Sequence, residues 1–460
     1  MNARGARRLL VLVFLATLPL VTPKIRGADE IQYYAYLHSA VFDRDLDFTN
    51  EYTHFYERDP QGLAAFRSTF LERREEATGR PICFAPSGSA ILWSPFYLLA
   101  HAAVRTAAAL GAPVAADGFS TPYMAAACFG SALYAFLGLL LTHHVLLRWG
   151  GASVAAATLS VLAIWLATPV LYYTTLAAGF AHACSLFAAA LAVWLFLRAR
   201  ERAEEGPRLL DWALVGAACG LAALVREQDG VIVVVPGAWL LLQLRRGPAR
   251  SVLRGLVMGG TAFLFTLPQF FAYRALNGHF GPSRLVARKM TWSSPHALQV
   301  LFDPGHGLFL WSPLLVLAVA GLLLALLRPR PAPERTLTAL LSLGLLAQAW
   351  INGCVESWSM AGAFGSRRFV GMSVVFAWGL AALLERLRAR VPLPALAGVL
   401  AVFVWWNLSL MVQFGLKLMD RQRLTWPQVA VSQFTEVPPR LLHVAHLFFT
   451  DREQLLREAR

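Results

Sequence analysis

The sequence predicts an all-α, polytopic transmembrane helix bundle of about eleven spans, with a long first external loop carrying juxtamembrane helices. Three observations predict it. Of 460 residues, 57% are hydrophobic and only 15% charged, too few charges to clothe a soluble domain of this size. Apolar runs near the ~20 residues needed to cross a hydrocarbon core recur along the whole chain. Arginines collect in every second connection between those runs, as the positive-inside rule asks of cytoplasmic loops. The net charge of +14 is therefore loop arginine, not the footprint of a nucleic-acid binder.

The first run, 9–21, follows Arg4, Arg7 and Arg8. Its length also suits a cleaved signal peptide. Pro23, Lys24 and Arg26 stand where a small-residue cleavage site would, so an uncleaved first helix is expected. Further spans are expected at 121–147, 154–170, 179–197, 209–225, 231–244, 252–273, 307–327, 337–351, 369–384 and 393–412. The arginine-rich connections hold Arg148, then Arg198, Arg200, Arg202 and Arg208, then Arg245, Arg246, Arg250 and Arg254. Arg328, Arg330 and Arg335 form the next group, and Arg386, Arg388 and Arg390 the last. The connections 29–88, 172–178, 226–230, 274–306 and 352–368 are then external.

One segment, 89–110, is apolar enough to cross, yet crossing would invert every later loop. It is read as a juxtamembrane or re-entrant element, broken by Pro95 and Arg105. The chain thus divides into a membrane domain, 1–412, whose first external loop is 23–110, and an external tail, 413–460. In the tail, Pro438-Pro439 precedes an amphipathic stretch, 441–449, expected on the membrane surface. No internal repeat is visible, which argues against transporters built from duplicated halves.

Cys83, Cys128, Cys184, Cys219 and Cys354 form no C-x-x-C or Cys/His metal spacing. Cys83 and Cys354 are both external, so one disulfide is open; buried or free thiols are the expectation.

Chemistry concentrates in the first external loop. Asp29 and Glu30 follow the first helix directly, with Tyr33, His38-Ser39 and then Asp43-Arg-Asp45-Leu-Asp47-Phe-Thr-Asn50-Glu51-Tyr52 behind them. Two carboxylates at the mouth of a membrane helix suit a base that must meet a membrane-anchored substrate. The alternative is plain capping of a helix starting at Ile31, since acids favour a helix amino terminus.

This pattern resembles the membrane glycosyltransferase C superfamily, and within it bacterial members related to protein O-mannosyltransferases and lipid A aminoarabinose transferases. Three further stretches fit the bacterial subgroup. Pro86-Ser-Gly-Ser-Ala-Ile-Leu-Trp93-Ser-Pro95-Phe96 closes the first loop, and Leu301-Phe-Asp-Pro-Gly-His306-Gly307-Leu308-Phe-Leu-Trp311-Ser-Pro313 opens a later helix. Trp358-Ser-Met-Ala-Gly362-Ala-Phe364-Gly365-Ser-Arg367-Arg368-Phe369 lies in the last large external loop. The resemblance implies a hexosyl- or pentosyltransferase that takes a sugar from a polyprenyl-phosphate carrier and passes it to a lipid, glycan or protein acceptor. Lysine occurs only at Lys24, Lys289 and Lys417 beside abundant arginine and alanine, the bias of a high-GC bacterial genome. The expected location is a bacterial cytoplasmic membrane, with the site on the external, periplasmic side.

On the same resemblance Asp29 is the general base, attack is in line with inversion at the anomeric carbon, and Glu30 is a helper that acts on the acceptor or orients the loop. A phosphate leaving group also needs cations, preferably arginine. Resembling proteins often carry a basic residue in the turn occupied here by Arg226, although Arg226 could instead pair with Glu227 or Asp229. Arg367 and Arg368 sit at an external helix mouth, where a helix start suits an anion. Lys289, with Arg288, offers a further phosphate contact or a solvated loop cation.

Weaker substrate-binding candidates are Tyr33, His38, Asp47, Asn50, His182, His306 and Trp358, each with a packing or capping alternative. No cofactor is assigned with certainty. A divalent metal could bridge donor phosphate to Asp29 or to the Asp43/Asp45/Asp47 cluster, though those acids are as well suited to turning the loop and pairing with Arg44 or Arg58. Nucleic acid is not an expected partner. Two alternatives stand beside the transferase: a transporter or flippase of lipid-linked sugars, and a non-catalytic family member. A ligase of lipid-linked glycans fits the Asp-Glu pair less well. Transport would favour ionisable residues at helix centres, where only His101 and Arg105 are found.

Overall fold

Apolar runs of membrane length become helices because a bilayer leaves the backbone no partner but itself. The structure, a computed structural model, describes residues 2–203, 206, 208–327, 332–360, 362–452 and 454–455. Arg328, Arg330 and Ala361, named above, lie outside the described residues. The longer helices begin with α1 (Ala3–Thr17), α2 (Ala28–His38), α3 (Thr49–Arg58), α4 (Gly88–Ala109), α5 (Thr121–Arg148) and α6 (Val154–Leu166). Next come α7 (His182–Glu201), α8 (Leu209–Val225), α9 (Val234–Gln243), α10 (Pro248–Asn277) and α11 (Leu314–Leu327). The chain continues through α12 (Ala332–Gly353), α13 (Ser373–Leu387), α14 (Leu393–Gly415), α15 (Trp426–Thr435) and α16 (Val437–Thr450). No named strand occurs among the described residues.

Six segments there are long and apolar enough to cross a membrane: α5, α7, α10, Glu334–Gly353 of α12, Arg367–Leu387 ending in α13, and α14. α6, α8 and α11 are shorter apolar helices. The run 209–225 matches its expected bounds. Others differ for local reasons. The expected span 307–327 is interrupted by Ser312-Pro313 and becomes a turn, Leu308–Trp311, followed by α11. The expected 231–244 is a 3-10 turn, Glu227–Val233, running into the ten-residue α9. The tail is helical earlier than expected. Pro438 and Pro439 fall in the first turn of α16, where a missing N–H costs nothing, so they start the helix rather than precede it.

The chain forms two compact units. One comprises Met1–Leu10, His143–Tyr172 and Thr291–Arg460; the other comprises Val11–Thr142 and Tyr173–Met290. In the first, the apolar helices α11 and α13 meet at Gly321 and Gly379, where any Cβ would strike the facing backbone. Asn407 of α14 donates to the carbonyls of Leu166 and Thr168 at 2.9 and 3.1 Å, satisfying the end of α6.

The second unit carries the long connection 23–110. Gly216 and Gly220 of α8 lie one turn apart against the Met258 and Ala262 carbonyls of α10, a small-residue seam that lets two helices approach closely. At one end of this pair Arg254 donates to the carbonyls of Ala203 and Gly206 at 2.6 and 2.8 Å, joining two arginine-rich connections. At the other end Thr78 and Arg80 donate to the carbonyls of Leu276 and Ala275 at 2.6 and 3.0 Å. α10, 30 residues and about 45 Å long, separates the two ends, as the charge pattern requires.

The unplaced segment is α4, and Pro95 does not break it: the helix runs 22 residues without interruption. The reason is local. Pro95 has no N–H for the Ile91 carbonyl, and the Ser94 hydroxyl donates to that carbonyl at 2.8 Å instead. α4 starts beside Leu224 at the end of α8. It then runs antiparallel to α5, with Trp93 donating to Ser131 at 2.7 Å and His101 bonded to Tyr123 at 2.7 Å. Since α5 and α7 run the same way from Ser131–Cys184 to Gly138–Leu186, α4 leads away from the arginine-rich end. It lies along α2 through Tyr33–Trp93 and Tyr34–Tyr97 edge contacts, in an aromatic core that includes Phe48 and Tyr52.

All five cysteines are free and buried. Burial pushes the Cys83 thiol up to about 11.

Candidate active site

α2 starts where the chain leaves α1, and Glu30 sets that start. From the third position of the helix its Oε2 reaches back to accept from the amides of Arg26 at 2.9 Å and Gly27 at 2.7 Å. The side chain is buried, at 4% exposure, under Gly27, Gly179 and Phe180. A Cβ on Gly179 would come within 2.9 Å of Glu30 Oε1 and 2.7 Å of Ile25 Cδ1, so the chain before α7 closes tightly over the carboxyl and any side chain there would displace it. Burial, opposed by the two amide bonds, pushes Glu30 up to about 7. The capping reading is therefore realised by Glu30. Asp29, half-buried, stands beside it in the first turn.

The closing segment leads to the candidate cation. A Cβ on Gly27 would meet the Phe180 ring at 2.9 Å. Phe180 stacks near His182 with centroids 5.9 Å apart, and Tyr173 packs on His182 at 4.5 Å. Arg226 Nη1 donates to His182 Nδ1 at 2.7 Å. The same Nη1 lies 3.2 Å from Nε2, and a guanidinium can only donate, so one ring nitrogen of His182 accepts from it. Of the two acids considered for Arg226, Asp229 takes the pair: Arg226 Nε lies 3.6 Å from Asp229 Oδ2, and Ser185 donates to the same oxygen. Asp229 is fully buried and Arg226 retains 11% exposure, so the charge is fixed in place with one edge open. Gly88, in the motif that closes the first loop, packs on Leu224 beside this turn.

The structure thus brings Asp29, Glu30, His182 and Arg226 into one unit. Lys289 belongs there too, with Nζ 5.4 Å above the Phe84 ring. Arg367, Arg368, His306 and Trp358 belong to the other unit. Arg367 and Arg368 open the helical segment Arg367–Leu387, whose first six residues, Arg367–Met372, are a 3-10 turn running into α13. Arg368 donates to Ser357 Oγ at 3.4 Å. His306 is buried against Trp311, centroids 5.0 Å apart, and neither ring nitrogen has a hydrogen-bond partner. Trp358 stacks on His296 at 5.5 Å.

The remaining loop candidates shape the loop. Tyr33 is buried against Trp93. Asp47 accepts from the Thr49 amide and hydroxyl at 3.1 and 2.6 Å, and Asn50 donates to Asp43 at 3.0 Å. Asp45 accepts from Ser39 at 2.7 Å. These acids turn the loop, but not by pairing with Arg58, which donates to the His54 carbonyl at 2.9 Å. Asp43, Asp45, Asp47 and Glu57 line an open groove of about 560 Å³. Some 14 Å of helix rise separates position 29 from position 38, too far for one cation shell to join Asp29 to this acidic end. His38 is buried between the rings of Phe42 and Phe119 at 4.9 and 3.8 Å. Gly179 and Phe180 escaped the sequence reading, because nothing local marks a loop that closes over a carboxyl 149 positions upstream of it.

No protein-family model matches the sequence, and no curated protein matches it. Solved structures do. ArnT from Cupriavidus metallidurans bound to undecaprenyl phosphate matches with a TM-score of 0.50 and 17% identity, over 100% of this chain and 78% of that one. Its apo state matches over 99% and 78%, with a TM-score of 0.50. The apo oligosaccharyltransferase of Archaeoglobus fulgidus matches with a TM-score of 0.51 and 14% identity, over 100% of this chain and 56% of that one. This is the GT-C fold.

Proposed function

We propose that this chain is a membrane glycosyltransferase that moves a sugar from a polyprenyl-phosphate donor to an acceptor hydroxyl on the external face, with inversion. The observation that carries the reading is the division of labour at the start of α2. Glu30 is consumed in holding the helix start, which fixes the neighbouring Asp29 at the helix mouth, and Arg226 is fixed in the same unit. The match to ArnT solved with undecaprenyl phosphate supports the choice of donor class.

In the proposed reaction the Asp29 carboxylate takes the proton of the acceptor hydroxyl as its oxygen bonds to the anomeric carbon. The bond from that carbon to the phosphate oxygen breaks, and the electron pair leaves with the carrier phosphate. A phosphate is a weak base, so no strong general acid is needed; a paired-acid glycosidase, with its alkoxide leaving group, is the contrast. Arg226 faces the growing phosphate charge, with Asp229 and His182 keeping its guanidinium oriented. Glu30 orients the loop and does not touch the reacting atoms.

The test is sugar transfer in membrane vesicles supplied with a panel of labelled polyprenyl-phosphate sugars and native lipid acceptors. Asp29→Asn at matched expression should lose ~10²-fold or more of the transfer rate while still binding donor. Equal transfer by both proteins would remove Asp29 from the mechanism. Donor movement across the bilayer without transfer would replace the transferase with a flippase.

A further inference from the structure

We propose that His38, Asp43 and Glu51 form a binding site for one first-row divalent cation, of the Mn²⁺ or Zn²⁺ class, which ties α2 to α3 at the far end of the first loop. The three offer ligand atoms that all lie within 4.8 Å of one another. His38 Nδ1 is 2.8 Å from Glu51 Oε1 and 3.4 Å from Asp43 Oδ2. Adjacent ligands about a cation with bonds of about 2.1 Å sit about 3 Å apart, so the two spacings at His38 are those of neighbours in one coordination shell.

The proton inventory makes the case beyond spacing. His38 Nε2 lies 3.0 Å from the Asp117 carbonyl, an atom that can only accept, so Nε2 carries the hydrogen. A neutral His38 then turns a bare Nδ1 lone pair toward two carboxylate oxygens. Three acceptors facing one another are held together only by a cation or a shared proton. The arrangement also has the supports that metal ligands use: a carbonyl orienting the imidazole, and Asn50 donating to Asp43 at 3.0 Å. Glu51 is fully buried, and its second oxygen, Oε2, has no hydrogen-bond partner among the described residues. A cation supplies that oxygen with a counter-charge; a single proton shared between His38 Nδ1 and Oε1 leaves it unmet.

Access and metal class follow from the same residues. Asp43 is one-third exposed and lines the open acidic groove, giving a route in and room for water ligands. One imidazole with two carboxylates suits Mn²⁺ or Zn²⁺ better than the all-oxygen shells of Ca²⁺ or Mg²⁺. The site lies at the carboxyl end of α2, away from Asp29 at its start, so its role is to hold the loop.

The experiment uses the full chain in detergent, stripped by dialysis against chelator and titrated with Mn²⁺ alone. Wild type should bind one equivalent, with a directly coordinated nitrogen visible in the electron spin-echo modulation of the bound ion. Asp43→Asn, a surface change that leaves the fold intact, should bind at least ~10-fold more weakly. His38→Gln should lose the nitrogen signature, and Asp29→Asn should bind as wild type does. No binding by wild type at ~100 µM Mn²⁺ would overturn the proposal and leave a shared proton in the trio. Undiminished binding by Asp43→Asn would overturn it as well, as would loss of binding in Asp29→Asn, which would move the ion to the helix mouth.

Discussion

Glu30 couples pH to the stability of the segment that carries the candidate site. Its carboxyl is buried and raised to about 7, so the folded protein holds the neutral acid where an unfolded chain at the same pH would have ionised it. The sign is that of a raised carboxyl. Its contribution is full below about pH 4.5 and is lost as pH climbs through 7, up to about 3 kcal/mol across that window. Glu30→Gln can keep both amide bonds through its carbonyl oxygen while removing the ionisation. Thermal unfolding between pH 5 and 8 should therefore flatten by that share, with the variant more stable at pH 8. An unchanged slope would assign the pH dependence to other groups. How much of this was legible in the sequence differs by residue. Asp29 and Glu30 were marked as a pair, and capping was one of their two readings, because helix-start chemistry is local. His38 was a weak substrate candidate only, since its buried place depends on Asp117 and Phe119, brought back by α4 from far along the chain.

At the scale of an element, α4 shows where a local rule fails and why. Proline in an apolar run reads as a break, and the break is absent because the preceding serine takes up the stranded carbonyl. Two outcomes follow from that contact. Ser94→Ala should lower stability by about 1 kcal/mol in Pro95 protein and by much less in a Pro95→Ala background, where the backbone amide returns. Pro95→Ala alone should be neutral or stabilising. A thermal-shift double-mutant cycle reads both, and equal costs of Ser94→Ala in the two backgrounds would refute the compensation. The seam of Gly216 and Gly220 was legible only as apolar sequence. Which face of a uniformly apolar helix meets its neighbour is set by the smallest side chains, and periodicity carries no signal when every side is hydrophobic.

For the whole molecule, the charge alternation was the most informative property of the sequence, because arginine placement reflects a constraint on every loop at once. In the second unit the arginine-rich connections meet at Arg254 at one end of α10, and the first loop docks beside Leu276 at the other. Reporter fusions at Gly247 and Gly281, either side of α10, should therefore report opposite compartments, with alkaline phosphatase active only at Gly281. Activity at both positions would contradict the topology. Span number was less legible, because 3-10 turns and Ser312-Pro313 cut apolar runs whose hydropathy is continuous.

The weaving of the chain through two units sets an order on biogenesis. The contacts described above that shape the first loop, from Glu30 and Gly179 to Arg226 and Asp229, are made by residues synthesised before Thr291. The other unit gathers its amino-terminal pieces early but cannot close until α11 to α16 have left the ribosome. The half of the molecule that bears Asp29 is therefore able to mature first, and it can stand finished in the membrane while its companion is still being threaded in.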